Sequence, residues 1–362
     1  MDRMKKRDEA LDAVKGFAIL LVMLGHCMVL NGLDDPYLYD AIAAVQMPLF
    51  MLAGGYGAGL LPIDLSQRPD GTGWRKKLIR RSVAYLLPFF SWMFLTHPTN
   101  FFEELQLQLF ALDRGLWFLM TLWIVTLITM AASYGADFGA WCLGKMKIDE
   151  QKIKICRFLI FLFFTGICYV GFVMQGRYGS GFLSPSLTVK YLPFYVIGYL
   201  WTTYILPLTR TEKQDKKGEI LIWTLSIPLF LFMIIKFDTI LVTDTRSLML
   251  QMGTSFLGSF VCFYGIYHFA RGKLQKGLSF LGKYTLEIYV LHFRFARLLG
   301  IGKRQPALYS LEALGWIIAA FVVMSILTAA CIFVIKKIRI LDLLLFGKMR
   351  KNESREIPRA PL

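Results

Sequence analysis

The chain has 362 residues, of which 56% are hydrophobic and 15% aromatic, whereas only 18% carry a charge. This composition excludes an ordinary soluble domain and predicts an integral membrane protein. A net charge of +16 would suggest nucleic-acid binding in a soluble protein, but here the cations lie between apolar runs, so they indicate membrane topology instead.

Ten apolar stretches are long enough to cross a bilayer, which takes about 17–25 helical residues. They cover residues 11–30, 44–61, 78–95, 116–134, 156–174, 189–206, 220–235, 248–269, 278–299 and 311–335. We therefore predict an all-α, polytopic membrane helix bundle of about ten transmembrane helices over residues 1–345. A basic, disordered cytoplasmic tail is predicted for residues 346–362.

The connecting segments alternate in positive charge, which tests the number of spans independently. Most of the 41 Lys and Arg residues fall in every second connection and at the two termini. By the positive-inside rule, both termini of this multi-pass chain are predicted to be cytoplasmic. The six cysteines lie in or beside apolar segments without Cys-x-x-Cys pairs, which predicts buried thiols rather than disulfides or a metal site.

The first span carries the strongest chemical signal. Lys15 and His26 are 11 positions apart, so on a helix they share a face and lie about 16 Å apart along the axis. Lys15 is suited to hold a phosphate as a point charge, and His26 to act as a base near neutral pH. The alternative for His26 is a structural hydrogen bond between helices. Asp12, about 21 Å below His26, is expected to cap the helix or to pair with Lys15 or Arg7.

Two further stretches near the cytoplasmic side have two interpretations each. The cations Arg75 to Arg81 open the third span and predict either a positive-inside anchor or a phosphate clamp that faces Lys15. The glycines between Gly54 and Gly59 in the second span predict a close approach by another helix or by a ligand.

The ninth span combines an ion pair with a histidine. Lys283 and Glu287 are one helical step apart and are expected to neutralise each other. His292 lies about 140° round the helix from Glu287, so the two do not form an obvious dyad. A structural role is therefore favoured for His292 over that of a second catalytic base.

Four stretches occur together along the chain. They are Lys15 to His26 after Arg7, Met47-Pro48-Leu49-Phe50 before Gly55-Tyr56, Leu116-Trp117-Phe118-Leu119, and Leu281 to His292 with Glu287. Together they resemble the acyltransferase-3 family of integral-membrane acyltransferases, which includes surface-polysaccharide O-acetylases and fucose 4-O-acetylase-like proteins. The resemblance covers nearly the whole chain.

This resemblance implies an O-acetyltransferase of the cell envelope, located in the bacterial plasma membrane. It would move an acetyl group from cytoplasmic acyl-CoA to a hydroxyl of an extracytoplasmic glycan or lipid-linked sugar, with acetyl-CoA as co-substrate and with neither a metal nor a nucleic acid. His26 matches the family's essential histidine, and Gly54 stands where the family usually has serine. The cations expected to hold the coenzyme are Lys15, Arg7, Lys77, Arg80 and Arg81. The residues expected to support the site are Asp12, Tyr56, Trp117, Glu287 and His292.

Two other functions compete with acyl transfer. A transporter or flippase for a lipid-linked or anionic solute explains the buried charges equally well, whereas a non-catalytic sensor is disfavoured by the short loops. Stabilisation of the fold by acetyl-CoA would distinguish acyl transfer from transport, because a transporter has no reason to bind that cofactor.

Overall fold

The computed structural model describes residues 8–35, 37–60, 71–112, 115–146, 148–179, 181–206, 216–237, 242, 244–300 and 306–349. Within these ranges the chain forms 13 α-helices and no strand, which confirms the all-α class. Arg7 and residues 350–362 of the predicted tail lie outside them.

The helices follow the apolar segments of the sequence. Their bounds are α1 Glu9–Val29, α2 Leu38–Gly59, α3 Gly71–Thr96, α4 Phe101–Phe110, α5 Trp117–Lys145, α6 Glu150–Tyr178, α7 Pro185–Leu200, α8 Lys216–Lys236, α9 Thr245–Phe269, α10 Gly272–Gly282, α11 Thr285–His292, α12 Leu311–Lys337 and α13 Arg339–Phe346.

Eight of the described helices are long and apolar enough to cross a membrane: α1, α2, α3, α5, α6, α8, α9 and α12. The protein is therefore a multi-pass membrane protein. Two of the ten predicted spans have a different local structure. The stretch 189–206 ends in a π-helical turn, Trp201–Ile205, which continues from the 16-residue α7. The stretch 278–299 is broken between α10 and α11 and continues after His292 as turns.

Two short helices, α4 and α13, lie outside the predicted spans because neither is long enough to produce a membrane-spanning signal. In α4 the side chain of Phe102 is 81% exposed. In α13, Leu345 and Phe346 are buried, and the helix ends at Gly347, whose φ of 62° is the left-handed conformation common after helix C-termini.

The chain divides into two compact units. The first contains Met1–Leu60 and Ile197–Val334, and the second contains Leu61–Val196 and Ile335–Leu362. Each unit thus combines segments that are distant in the sequence.

In the first unit, α1 is the central element and packs against α2, α9, α10 and α11. Its closest neighbour is α10, because glycines remove the side chains at the crossing. A Cβ on Gly16 would collide with the backbone of Leu278, and a Cβ on Gly282 would collide with the backbone of Asp12. Small residues allow membrane helices to approach to backbone contact in this way. This crossing fixes where α11 begins relative to α1.

The glycine-rich end of α2 is likewise a helix contact. A Cβ on Gly198 would meet the backbone of Leu52, and one on Gly59 would meet Thr202 in the π-helical turn. The Thr202 hydroxyl donates a hydrogen bond to the carbonyl of Tyr56 over 3.1 Å. At Gly59 the predicted close approach is made by another helical segment.

In the second unit, α3 and α6 pack against α5, while α4 and α13 pack against α3. A buried ion pair joins α6 to α5, with Nε of Arg157 2.7 Å from Oδ1 of Asp137. The indole of Trp92 donates to the carbonyl of Leu345 over 2.9 Å, and this bond ties α13 to α3. Internal pairing of polar groups is what an apolar medium requires.

Candidate functional site

The two histidines at the ends of α1 and α11 meet in the first unit. Nδ1 of His26 lies 2.8 Å from Nε2 of His292, and the two rings stack with centroids 5.0 Å apart at an angle of 18°. Phe293 meets the His26 ring edge-on at 5.2 Å. His26 is half-buried, whereas His292 is only 1% exposed.

The hydrogen bonds define where the protons lie when both rings are neutral. Nδ1 of His292 is 2.8 Å from the carbonyl of Ile288. Because a carbonyl only accepts, this nitrogen carries the proton, and Nε2 of His292 has a lone pair. Nδ1 of His26 must then donate to that lone pair, which leaves Nε2 of His26 unprotonated. Among the described residues, the structure shows no hydrogen bond to Nε2 of His26.

Backbone contacts hold the two helix ends together beside this pair. Asn31 is 3% exposed, and its amide donates to the carbonyls of Cys27 and Ala296 over 2.8 and 2.9 Å. Arg297 donates from Nε to the carbonyl of Leu30 over 2.9 Å. The bonds to Cys27 and Leu30 satisfy carbonyls that the C-terminus of α1 would otherwise leave unpaired, and the bonds made by Ala296 and Arg297 tie that end to the turns after α11.

The pairing of His26 with His292 is the feature that sequence reasoning missed. The two residues are 266 positions apart, and angles within one helix carry no information on contacts between helices. The only signal in the sequence was that both histidines end stretches that resemble the same family.

Glu287 and Lys283, the predicted ion pair, lie in different environments. Glu287 is fully buried, whereas Lys283 is exposed, so the two do not form a simple surface pair.

The other end of α1 carries Lys15. A Cβ on Gly57 of α2 would lie 3.7 Å from Nζ of Lys15, so this lysine lies directly against the glycine-rich segment. The predicted cap was wrong: Asp8, not Asp12, caps α1, with Oδ1 accepting from the amide of Leu11 over 3.0 Å. Asp12 is instead buried in the first turn of α1, where its backbone lies against Gly282, and its pairing with Lys15 or Arg7 stays a prediction.

Tyr56 belongs to a chain of hydroxyl groups at this end. Its hydroxyl donates to that of Tyr267 over 3.2 Å, and Tyr267 donates to Oδ2 of Asp8 over 3.0 Å. Asp8 thus holds the start of α1 both by capping it and by accepting a bond from α9. These bonds join α2 and α9 to the start of α1.

The remaining candidate residues lie in the second unit. Lys77 and Arg80 are exposed on α3, while Nη1 of Arg81 donates to the hydroxyl of Tyr85 over 2.9 Å. Trp117 begins α5 and stacks on Tyr191 at 5.4 Å. The clamp formed by these cations with Lys15 stays a prediction.

Comparison with protein families gives one match of nearly full length. Residues 8–336 match the family described as "Acyltransferase domain". Neither the curated proteins nor the solved structures give a match to this chain.

Proposed function

Because the chain belongs to the acyltransferase-3 family, and is a membrane acyltransferase on that ground, we propose that it transfers an acetyl group from cytoplasmic acetyl-CoA to a hydroxyl of an extracytoplasmic glycan or lipid-linked sugar. The family match favours acyl transfer over the transporter alternative. The proposed site of the reaction is the outer end of α1.

The observation that carries the proposal is the unbonded Nε2 of His26 beside the buried His292. A positioned base of this kind accepts the proton of an attacking hydroxyl. The hydroxyl oxygen then bonds to the acyl carbon, and the carbon–sulfur bond of the thioester breaks. The coenzyme leaves as a thiolate and takes up a proton. His26 returns to its neutral form when it releases the proton it accepted.

The position of Lys15 supports the direction of transfer. It lies on the same helix as His26, about 16 Å closer to the cytoplasmic end. A donor with a phosphorylated head and a thioester at the tip of a long arm fits this separation, since lysine binds phosphate as a point charge. The phosphates would remain near the cytoplasmic mouth while the thioester reaches His26.

The proposal is tested with His26→Ala. A positioned base contributes about 10²–10⁴-fold to the rate, so transfer from radiolabelled acetyl-CoA should fall by that factor in purified protein. The matched control is His97→Ala, because His97 is exposed at the end of α3 and lies in the second unit. Full activity of the His26→Ala protein would exclude the mechanism.

The acceptor is identified in cells. Mass spectrometry of surface glycans should show the loss of one acetyl mass from a defined sugar when His26→Ala replaces the normal protein. Surface glycans that keep every acetyl group in the His26→Ala cells would contradict the proposed reaction.

A further inference from the structure

We propose that His292 is a positioning residue that keeps the proton of His26 on Nδ1 and thereby leaves Nε2 as the base. This inference rests on the proposed function, because it assigns a role to the partner of the proposed base. It concerns a residue for which the sequence favoured a purely structural role.

The burial of the two rings separates their roles. His292 is 1% exposed, so a substrate cannot reach its nitrogens, whereas His26 is half-buried and has one nitrogen that forms no hydrogen bond within the described part of the chain. Both nitrogens of His292 are already engaged, one with Ile288 and the other with His26. His292 therefore acts through His26 rather than on the substrate.

The two nitrogens of His292 have fixed roles, one as a hydrogen-bond donor and the other as an acceptor. The carbonyl of Ile288 lies one helical turn before His292 in α11, where it accepts the proton of Nδ1 over 2.8 Å. With that proton fixed, Nε2 of His292 is an acceptor and holds the Nδ1 proton of His26. A partner that sets the tautomer of a catalytic histidine is the role of the buried carboxylate in a serine hydrolase triad. Here a neutral imidazole would take that role inside a membrane, where a carboxylate is costly.

The surroundings of the pair also restrict the ring of His26. His292 stacks on one face, and Phe293 meets the ring edge-on. Because His292 and Phe293 are consecutive, the end of α11 fixes both the tautomer and the plane of the ring. Nε2 of His26 then has one direction in which it can meet a hydroxyl.

Two substitutions separate positioning from packing. In His292→Gln, the amide oxygen is as many bonds from Cβ as Nε2 of histidine, so it can accept the proton of His26. In His292→Asn, the amide group is only as far from Cβ as Nδ1, so it can donate to Ile288 but cannot reach His26. The two variants are alike in polarity, but His292→Gln keeps the bond to His26, whereas His292→Asn keeps only the bond to Ile288.

Kinetics with radiolabelled acetyl-CoA give the first readout. We expect His292→Asn to lower kcat by about 10- to 100-fold with an unchanged KM for acetyl-CoA, since misplacement of a catalytic group by about 1 Å costs a factor of this size. His292→Gln should retain kcat within about tenfold of the unmodified protein. A His292→Asn protein that is as active as the His292→Gln protein would overturn the inference.

Nitrogen-15 NMR of the resting protein gives a readout that does not require any transfer. The chain has four histidines, so His97→Gln and His268→Gln leave only the pair to be observed. We expect a protonated Nδ1 and an unprotonated Nε2 on His26, and a loss of this single tautomer in His292→Asn.

The two measurements separate the two proposals. A proton on Nε2 of His26 in the otherwise unmodified pair would overturn the role of His292, whatever the activity. The expected tautomer in a protein that transfers no acetyl group would support the positioning role and contradict the proposed function alone.

Discussion

Several buried polar side chains in this protein have a defined partner, and removing one member of such a pair leaves the other without water to replace it. The ion pair of Arg157 with Asp137 shows this at the level of single residues. The Arg157 side chain is 6% exposed and that of Asp137 is 23% exposed, so little water is present to replace a lost partner.

We expect Arg157→Met to destabilise the second unit by about 3 kcal/mol, because it leaves the carboxylate of Asp137 uncompensated. The double variant Arg157→Met with Asp137→Leu should recover most of this loss. The measurement is the apparent Tm of the purified protein in detergent.

The control for this prediction is Lys154→Met. Lys154 pairs with Glu150 over 2.7 Å, but the two side chains are 62% and 78% exposed, so this pair should contribute no more than about 1 kcal/mol. Equal shifts of Tm for the two single variants would contradict the importance of burial.

At the same scale, the sequence predicted one half of the candidate site. His26 could be identified because an ionisable residue deep in an apolar helix is unusual. Its partner could not, because the contact depends on two helices whose relative position is not encoded in the spacing of either one. The same reason explains Asp8, which was not singled out although it caps α1.

At the level of helices, the crossing of α1 with α10 determines whether the two histidines meet. Gly282 lies at the C-terminal end of α10, against the backbone of Asp12, and α11 begins three residues later. Any displacement of α10 from α1 therefore moves His292 as well.

We expect Gly282→Val to destabilise the protein by about 1–3 kcal/mol or more, since its side chain has no space at this crossing. Acetyl transfer should fall further than stability alone would explain, because His292 moves away from His26. Apparent Tm and the transfer rate at a temperature well below Tm separate the two effects.

The matched control lies on the same helix. A Cβ on Gly277 would have no atom within 4 Å, so Gly277→Ala should leave the transfer rate unchanged and stabilise α10 by up to about 1 kcal/mol through its higher helix propensity. Loss of activity in the Gly277→Ala protein would contradict this explanation. It would show that α10 tolerates no change, so that the lower transfer rate of Gly282→Val could not be assigned to the crossing with α1.

The length of apolar segments predicted the long membrane-spanning helices, but it did not predict the local structure of the two spans that are irregular. Eight long helices follow apolar segments because a helix satisfies its own backbone in the membrane. The end of α10, where the predicted span is broken, lies against α1, and the π-helical turn after α7 packs against Gly59; neither contact is visible in the hydropathy.

For the whole molecule, binding of the donor should be visible as stability. A ligand that binds only the folded protein stabilises it by about 2.7 kcal/mol at a concentration of 100 times Kd. We therefore expect acetyl-CoA to raise the Tm of the purified protein, whereas a transporter of unrelated solutes should not respond.

Lys15→Met tests which residue is responsible. The stabilisation by acetyl-CoA should decrease because the lysine no longer meets the phosphates, while Lys273→Met, at an exposed position of α10, should leave it unchanged. A Tm that acetyl-CoA does not alter in the unmodified protein would contradict the proposed donor.

The fold class and the multi-pass character followed from composition and the length of apolar runs, whereas the division into two units did not. Each unit joins an early segment to a late one, and such pairings depend on contacts over long sequence distances. Hydropathy is a local property, so it identifies the helices without giving their neighbours.

The separation of the two histidines has a consequence for biosynthesis. Because 266 residues lie between the positions of His26 and His292, and ribosomes add about 5–20 residues per second, α1 is made roughly 13–53 s before its partner in α11. During that interval the nascent protein contains the proposed base but not the residue that orients it. Acyl transfer at the full rate should therefore begin only after α11 has been inserted, so that incompletely synthesised chains in the membrane consume little of the donor.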